Sequence, residues 1–159
     1  MADFTLREAT LADVPELSLI GQGTFLESYA DLIQRADIIK HCQNQHGEAA
    51  YQTYLTDGVS KAWIAEMDST GAPIGYALMT APDLPVELKP GDAELKRIYV
   101  YSKFQGTGAG RALMATVEAE AQAKRAPRLL LGTYEDNQRA LNFYAKAGFE
   151  TIGTRTFPS

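Results

Sequence analysis

The sequence predicts one mixed α/β domain in which helices flank a mostly antiparallel central sheet. The chain has 159 residues, of which 45% are hydrophobic and 22% charged, as expected for a single globular domain. Its first half contains strand-like and helix-like patterns, and its second half alternates strand, helix, strand and helix. We therefore expect a single domain that covers residues 1–159.

The first half is predicted to begin with a strand, which a helix follows. Residues 3–9 alternate between apolar and polar side chains, and Thr10 with Asp13 resembles a capping box that opens a helix through Ile20. Gly21 and Gly23 weaken that helix. Three shorter helical pieces are therefore expected after it, over residues 25–30, 36–45 and 47–56.

Strand patterns dominate from Lys61 onward. Residues 61–67 and 73–81 are predicted to form two antiparallel strands, and residues 82–91 a proline-rich loop. The second half is predicted to contain a strand over 93–101, a helix over 108–124, a strand over 128–134 and a helix over 137–147. Gly148 is expected as a left-handed C-terminal cap, after which residues 149–157 are extended.

Composition restricts the function classes. The net charge of −5 argues against a nucleic-acid partner, since phosphate neutralisation needs clustered cations. No apolar run reaches the roughly 18–20 residues of a membrane span, and the start of the chain lacks the pattern of a signal peptide. Cys42 is the single cysteine, so neither an internal disulfide nor a thiolate zinc cluster is expected. These features predict a cytoplasmic protein.

His41 and His46 flank Cys42 and suggest a metal site at first sight. The two histidines are five positions apart, which is about 140° around a helix, so they do not share a face. A surface helix without a metal is the expected structure.

A glycine-rich segment at the start of the predicted helix is the strongest chemical signal. Unpaired N–H groups and the positive end of a helix dipole at this position favour an anion such as a pyrophosphate. Alternating glycines let the backbone approach a ligand, and an arginine adds positive charge. The residues are Gln105, Gly106, Thr107, Gly108, Ala109, Gly110 and Arg111.

Other interpretations of this segment are a flexible glycine turn or a nucleotide-binding loop. The triphosphate loop is excluded because Gly-Lys-Ser/Thr does not occur in the sequence. The dinucleotide fingerprint places its third glycine one position later, and only about 50 residues follow, too few for the rest of that fold. A nicotinamide-dependent enzyme stays as a distant alternative.

The chain resembles the GNAT (GCN5-related N-acetyltransferase) superfamily. The segment that begins at Gln105 matches the Q/R-x-x-G-x-G/A signature of that family. A second family pattern follows in the expected order: Asn137, Ala140, Phe143, Tyr144, Gly148 and Phe149. The resemblance covers the whole chain in element order, and the first half is similar to bacterial members that acetylate polyamines or other small amines.

This resemblance implies acetyl-CoA as co-substrate and no metal. The amine would attack the thioester directly, through a tetrahedral intermediate. The predicted strand over 93–101 would splay from its neighbour, so that the pantetheine arm pairs with the backbone of Ile98, Tyr99 and Val100. A main-chain N–H there would polarise the thioester carbonyl.

The resemblance also implies residue roles. Tyr144 corresponds to the tyrosine that protonates the departing thiolate, although packing on the sheet is the structural alternative. Glu94 matches the general-base glutamate of the histone-acetylating branch, and an ion pair with Lys96 or Arg97 is its alternative. Asn137 would contact the pantetheine arm or cap its helix.

The acceptor is expected to be a primary amine of a small molecule, polyamine-like or otherwise cationic. Glu27, Tyr29 and Asp31 occupy the region where the family walls its acceptor pocket, and their acidity suits a cationic amine. A solvated helix face is the alternative for these residues. Acetylation of a protein N-terminus or lysine, and a non-catalytic acyl-CoA sensor, also stay open.

The C-terminus departs from the family pattern. Family members usually continue into a final strand, whereas this sequence stops at Ser159, so the last strand is expected to be missing. Its absence would leave strand edges unpaired, which favours association. Either the chain is truncated or a neighbouring subunit supplies the strand, and a homodimer formed by strand exchange is the hypothesis for the second case.

Overall fold

Five strands form one sheet whose order in space equals their order along the chain. The computed structural model describes residues 3–133 and 137–153. The strands are β1 (Phe4–Glu8), β2 (Lys61–Met67), β3 (Pro73–Thr80), β4 (Ala93–Val100) and β5 (Leu129–Leu130). The helices are α1 (Val14–Tyr29), α2 (Arg35–Gln45), α3 (Glu48–Thr56), α4 (Ala109–Ala123) and α5 (Gln138–Lys146).

The sheet is mostly antiparallel, as predicted. β1 to β4 pair antiparallel with their neighbours, and β5 pairs parallel with β4. The crossover from β4 to β5 passes through α4, which a parallel connection requires. The mixed α/β class predicted from the sequence is therefore confirmed, and this sheet differs from the doubly wound parallel sheet of a dinucleotide domain.

Strand alternation divides the core between the two faces of the sheet. Ala62, Ile64, Tyr76 and Leu78 pack with Leu17 and Ile20 of α1 and Tyr51 of α3. The intervening strand residues Trp63, Ala65, Ala77 and Met79 pack with Leu113 and Val117 of α4. Because successive side chains of a strand point to opposite faces, β2 and β3 are buried on both. None of the helices within 3–133 and 137–153 is both long and apolar enough to cross a bilayer.

The prediction that the first helix weakens at its glycines is wrong. α1 runs without a break from Val14 to Tyr29. A Cβ at Gly21 would lie 2.7 Å from the His46 ring, and it would meet the Tyr51 hydroxyl at even shorter distance. Gly23 faces the hydroxyl of Tyr101 in the same way. These glycines allow α1 to pack closely on its neighbours, and this tertiary packing outweighs their low helix propensity.

The strand predicted over 128–134 is much shorter in the structure. β5 contains Leu129 and Leu130, while residues 131–133 have no regular structure and Tyr134 lies outside the described residues. Residues 149–153 are likewise irregular, and residues 154–157 of the predicted extended segment lie outside the described ranges.

A cluster of carboxylates joins β1, α1 and β2 on the edge of the sheet remote from β5. Arg7 donates to Asp13 at 2.7 Å and to Glu66 at 2.8 Å. Glu16 differs from these two carboxylates, because its Oε2 atom is buried without a hydrogen-bond partner within the described residues. Burial and the neighbouring Glu66 raise the pKa of Glu16 from 4.5 to about 7. Glu16 therefore holds a proton at pH 5 and loses it near neutral pH.

We expect the free energy of unfolding to fall as pH rises from 5 to 8. The folded state binds more protons than the unfolded state between pH 4.5 and about 7, so the stability linked to Glu16 is present below that window and lost across it. The loss should be on the order of 1 kcal/mol, because each tenfold change in proton affinity corresponds to about 1.4 kcal/mol and the partial solvent exposure of the Glu16 carboxyl screens part of the effect.

Urea denaturation of Glu16→Gln at both pH values checks this expectation. The neutral amide should stabilise the protein at pH 8 and have a smaller effect at pH 5. Equal effects of the substitution at the two pH values would contradict the raised pKa of Glu16.

Candidate active site

The predicted anion loop lies at the N-terminus of α4. Gly106 and Gly108 adopt left-handed backbone conformations, with φ of 86° and 93°, and Gly108 directly precedes the helix. The Oγ1 atom of Thr107 donates to the carbonyl of Phe104 at 2.6 Å, which fixes the turn. Left-handed φ values are strained for residues with a Cβ, so glycine is needed at both positions.

This turn leaves backbone donors unpaired. Among the described residues, no acceptor takes the N–H groups of Gly108, Gly110 or Arg111. The Arg111 side chain is exposed beside them. Unpaired N–H groups and the helix dipole attract an anion, so this geometry fits the phosphates of coenzyme A.

A gap opens between β4 and β5 next to this loop. β4 carries a bulge at Lys96, and its pairing with β5 is limited to Ala93 and Glu94 among the described residues. Tyr101 donates its N–H to the Ile74 carbonyl of β3. Since an antiparallel ladder alternates, the peptide groups of Ile98 and Val100 turn away from β3 and toward the gap, whereas those of Tyr99 turn toward β3.

Gln105 closes one end of this gap. Its Nε2 atom donates to the carbonyl of Val100 at 3.2 Å, which leaves the N–H of Val100 and both peptide groups of Ile98 facing the gap. Peptide groups that no strand pairs with require other partners. The amides of a pantetheine arm could supply these partners, so the backbone of the predicted binding residues Ile98 and Val100 fits coenzyme A. The peptide groups of Tyr99, the third predicted binding residue, face β3 instead and do not fit this role.

α5 begins after Asn137 and carries Tyr144 in its last turn, and it contacts the start of α4 through Phe143. Asn137 caps α5, because its side chain accepts the N–H of Ala140 at 3.1 Å. Of the two roles predicted for Asn137, the structure shows the helix cap. The ring of Phe143 packs against Gly110, at 3.5 Å from where a Cβ would stand. Gly148, at φ 97°, ends the helix as predicted, and the Phe149 N–H returns to the Tyr144 carbonyl. Both ends of α5 are therefore capped, and Phe143 connects the helix to the start of α4.

Tyr144 is half-buried between two aromatic rings. The rings of Phe143 and Phe149 meet it edge to face, at centroid distances of 5.6 and 6.0 Å. Burial raises the pKa of Tyr144, and the nearby Tyr29 phenol raises it further. The Tyr144 phenol is therefore protonated at neutral pH, as a proton donor must be.

Glu94 is buried near the start of β4, with 4% of its surface exposed. Its Oε1 atom accepts the N–H of Asp83, in the proline-rich loop, at 2.7 Å. No ion pair of Glu94 occurs within the described residues, so the alternative of a salt bridge to Lys96 or Arg97 is wrong. The carboxylate is held at the end of β4 that pairs with β5.

The three predicted acceptor residues lie at and after the end of α1. Glu27 accepts the Ser102 N–H at 2.9 Å and the Ser102 hydroxyl at 3.1 Å, so its carboxylate ties α1 to the residues that follow β4. Tyr29 ends α1 and stacks near Phe25, close enough to influence the Tyr144 phenol. Asp31 is exposed in the turn before α2.

The prediction of a surface helix for His41 and His46 is wrong for His46. His46 follows α2 outside helical geometry, and 3% of its surface is exposed. Its ring lies 5.1 Å from that of His41, and its Nδ1 atom lies 2.9 Å from the Tyr51 hydroxyl. Burial and the Arg97 charge lower the pKa of His46 to about 3, so this histidine is neutral.

The sequence prediction therefore missed a buried polar cluster formed by Arg97, His46, Tyr51 and Tyr76. Tyr51 and Tyr76 are completely buried and their hydroxyls lie 3.3 Å apart. The available sequence signal was a charged residue, Arg97, at an inward position of the apolar β4 pattern, for which the sequence suggested only an ion pair with Glu94.

Comparison with known proteins agrees with this geometry. The model of the acetyltransferase (GNAT) family matches residues 26–149. An uncharacterized N-acetyltransferase of Mycobacterium tuberculosis (strain H37Rv) is 35% identical over 147 residues, which cover 92% of this chain and 89% of that protein. The chain belongs to the acetyltransferase (GNAT) family. It is thus an N-acetyltransferase, as the sequence predicted.

Two further comparisons place this GNAT protein among its relatives. The structure of the PaiA N-acetyltransferase from Thermoplasma acidophilum in complex with coenzyme A superimposes with a TM-score of 0.81 at 18% identity, covering 96% of this chain and 93% of that one. The spermine/spermidine N(1)-acetyltransferase of Bacillus subtilis (strain 168) is 27% identical over 86 residues, or 53% of this chain and 57% of that protein. The structural match confirms the GNAT fold.

Proposed function

We propose that this GNAT protein transfers the acetyl group of acetyl-CoA to a primary amine of a small molecule. One observation carries the proposal: the unpaired N–H groups at the start of α4 and the peptide groups of Ile98 and Val100 border one gap. The first set suits the pyrophosphate and the second suits the amides of pantetheine. The coenzyme A bound to PaiA and the spermine/spermidine acetyltransferase among the relatives support this donor and a small amine acceptor.

The residues of this chain supply proton transfers and orientation. The co-substrate would supply an acetyl thioester: the amine nitrogen bonds to the carbonyl carbon to give a tetrahedral intermediate, and the C–S bond then breaks. A protonated amine must first lose a proton, and Glu94 Oε2 is the proposed acceptor, directly or through water. One of the two N–H groups, at Ile98 or Val100, stabilises negative charge on the carbonyl oxygen, and the other peptide groups pair with pantetheine. The Tyr144 hydroxyl protonates the thiolate, and the nitrogen gives up its second proton to the resulting phenolate, directly or through water, which leaves an N-acetyl amine and free coenzyme A.

Calorimetric titration with acetyl-CoA tests the donor, with NADH as the control ligand at the same salt concentration. We expect micromolar binding of acetyl-CoA and none of NADH, followed by thiol release in the presence of small primary amines. Binding of NADH alone would overturn the proposal. Binding of acetyl-CoA without thiol release to any amine would favour the non-catalytic sensor, and release with protein N-termini or lysines alone would favour a protein acceptor.

We expect Glu94→Gln to lower kcat by about tenfold or more at pH 7, where an alkylamine is almost wholly protonated. The glutamine oxygen can still accept the Asp83 N–H, so the fold should persist. The loss should narrow as pH approaches 10, because the free amine no longer needs a base. Initial rates of thiol release between pH 7 and 10 check this, and an equal loss at every pH would indicate that Glu94 only positions the loop.

The homodimer with exchanged C-terminal strands stays a prediction, because the residues concerned lie largely outside the described ranges. Sedimentation equilibrium of the purified chain tests it. A strictly monomeric, folded and active protein would contradict strand exchange.

A further inference from the structure

Arg97 of β4 is a buried cation beside the acetyl-transfer gap. Its exposed fraction is 9%, and it directly precedes Ile98, whose peptide groups face that gap. Its Nη1 atom donates to the Gln45 carbonyl and the Tyr51 hydroxyl, both at 3.1 Å, and lies 3.4 Å from His46 Nδ1. The guanidinium carbon stands 5.6 and 5.7 Å from the ring centres of Tyr51 and Tyr54.

All of these partners are neutral. No carboxylate within the described ranges lies within 4 Å of Arg97, and His46 carries no charge because its pKa is lowered to about 3. The tyrosine rings and the carbonyl at the end of α2 offset only part of the cost of burying a charge. Buried charges are normally paired, so Arg97 lacks the anion that such a position usually has.

Two donor groups of Arg97 are also unused. Its three hydrogen bonds involve Nη1, and none is found for Nε or Nη2. Within the described residues, the buried side-chain N or O atom without a partner is Glu16 Oε2, so Nε and Nη2 are not sealed from solvent. These two atoms form the edge of the guanidinium that matches a carboxylate with two parallel hydrogen bonds.

The acidic residues expected to attract a cation do not balance this charge. Glu27 is engaged with Ser102, and Asp31 is exposed in the turn after α1. A polyamine would place additional positive charge near the unpaired Arg97, whereas an anionic group would neutralise it.

We propose that the acceptor is a primary amine that also carries a carboxylate, and that Arg97 binds this carboxylate through Nε and Nη2. This inference rests on the proposed acetyl transfer and narrows its acceptor from polyamine-like amines to amino-acid-like ones. Arg97 then acts as a specificity-determining residue, and its bond to Gln45 at the end of α2 holds the guanidinium in place.

The wild-type enzyme tests the inference without a folding risk. Thiol release is measured with three acceptors that carry primary amines. L-lysine has a carboxylate, L-lysinamide replaces it with an amide, and 1,5-diaminopentane lacks it. We expect kcat/KM to be at least about tenfold higher for lysine, as for loss of a charge-assisted pair. Equal or higher values for diaminopentane would overturn the inference while leaving acetyl transfer intact. No transfer to any amine would contradict both the proposed acetyl transfer and the carboxylate recognition by Arg97.

Arg97→Gln separates substrate binding from packing. We expect KM for lysine to rise by about tenfold or more, with little change in kcat/KM for diaminopentane. For Arg97→Lys we expect a KM for lysine between those of the wild type and Arg97→Gln, since a lysine keeps the positive charge but cannot form the two parallel hydrogen bonds. Arg35→Gln, which removes an exposed arginine at the other end of α2, is the matched control. Equal losses for both amines, or a loss in Arg35→Gln as large, would show that Arg97 only supports the fold.

Discussion

Tyr144→Phe should lower kcat by about a hundredfold while leaving the affinity for acetyl-CoA nearly unchanged. The substitution keeps the ring that packs between Phe143 and Phe149 and removes the hydroxyl alone. Because burial raises the pKa of Tyr144, the phenol is the protonated form at neutral pH and can supply a proton to the thiolate. Steady-state rates of thiol release and calorimetry with acetyl-CoA check the two parts.

Phe149→Leu serves as the control for packing at α5. It loosens the edge-to-face contact with Tyr144 but retains the hydroxyl. We expect a lower midpoint of thermal unfolding with kcat reduced severalfold at most. If Tyr144→Phe and Phe149→Leu lose the same activity, or if the loss in Tyr144→Phe lies in acetyl-CoA binding, Tyr144 is a packing residue.

Gly108→Val should weaken acetyl-CoA binding by tenfold or more and lower the free energy of unfolding by about 1–2 kcal/mol. A β-branched residue strongly disfavours the φ of 93° that Gly108 adopts, so the turn must change. That change reorients the N–H groups at the start of α4, which are the proposed pyrophosphate donors. Calorimetric titration with acetyl-CoA and urea denaturation measure the two effects.

Gly71→Val is the matched control for backbone strain. Gly71 also has a left-handed conformation, with φ of 74°, and a Cβ there would have no neighbour within 4 Å, as at Gly108. The residue lies in the turn between β2 and β3, away from α4. We expect a similar loss of stability with unchanged acetyl-CoA affinity, and equal affinity in the two variants would contradict the anion site.

The parts of the site that are continuous in sequence were predictable. The residues from Gln105 to Arg111 combine alternating glycines with the start of a helix, so their spacing alone predicts unpaired N–H groups. The capping residues of α5, Asn137 and Gly148, also act locally, and the structure places them as expected.

The parts that depend on distant contacts were missed. Gly21 looked like a weak point because helix propensity is local, whereas its function is to admit Tyr51 and His46 from another helix. Among the described residues, β5 pairs with β4 through Leu129 and Leu130 alone, and no pattern within residues 128–134 reveals this limit. His46 was placed on a helical wheel although it lies just beyond the end of α2.

The sequence by itself determined the α/β class, the GNAT resemblance and the anion loop, because periodicity, glycine positions and helix ends are local properties of the chain. The tertiary structure decided which charges are paired. Glu27 and Ser102 are 75 positions apart, and Arg97 and Tyr51 are 46 apart. The burial that makes Glu16 hold a proton and leaves Arg97 without an anion exists only after folding brings such distant residues together, because the cost of an unpaired charge arises from its removal from water.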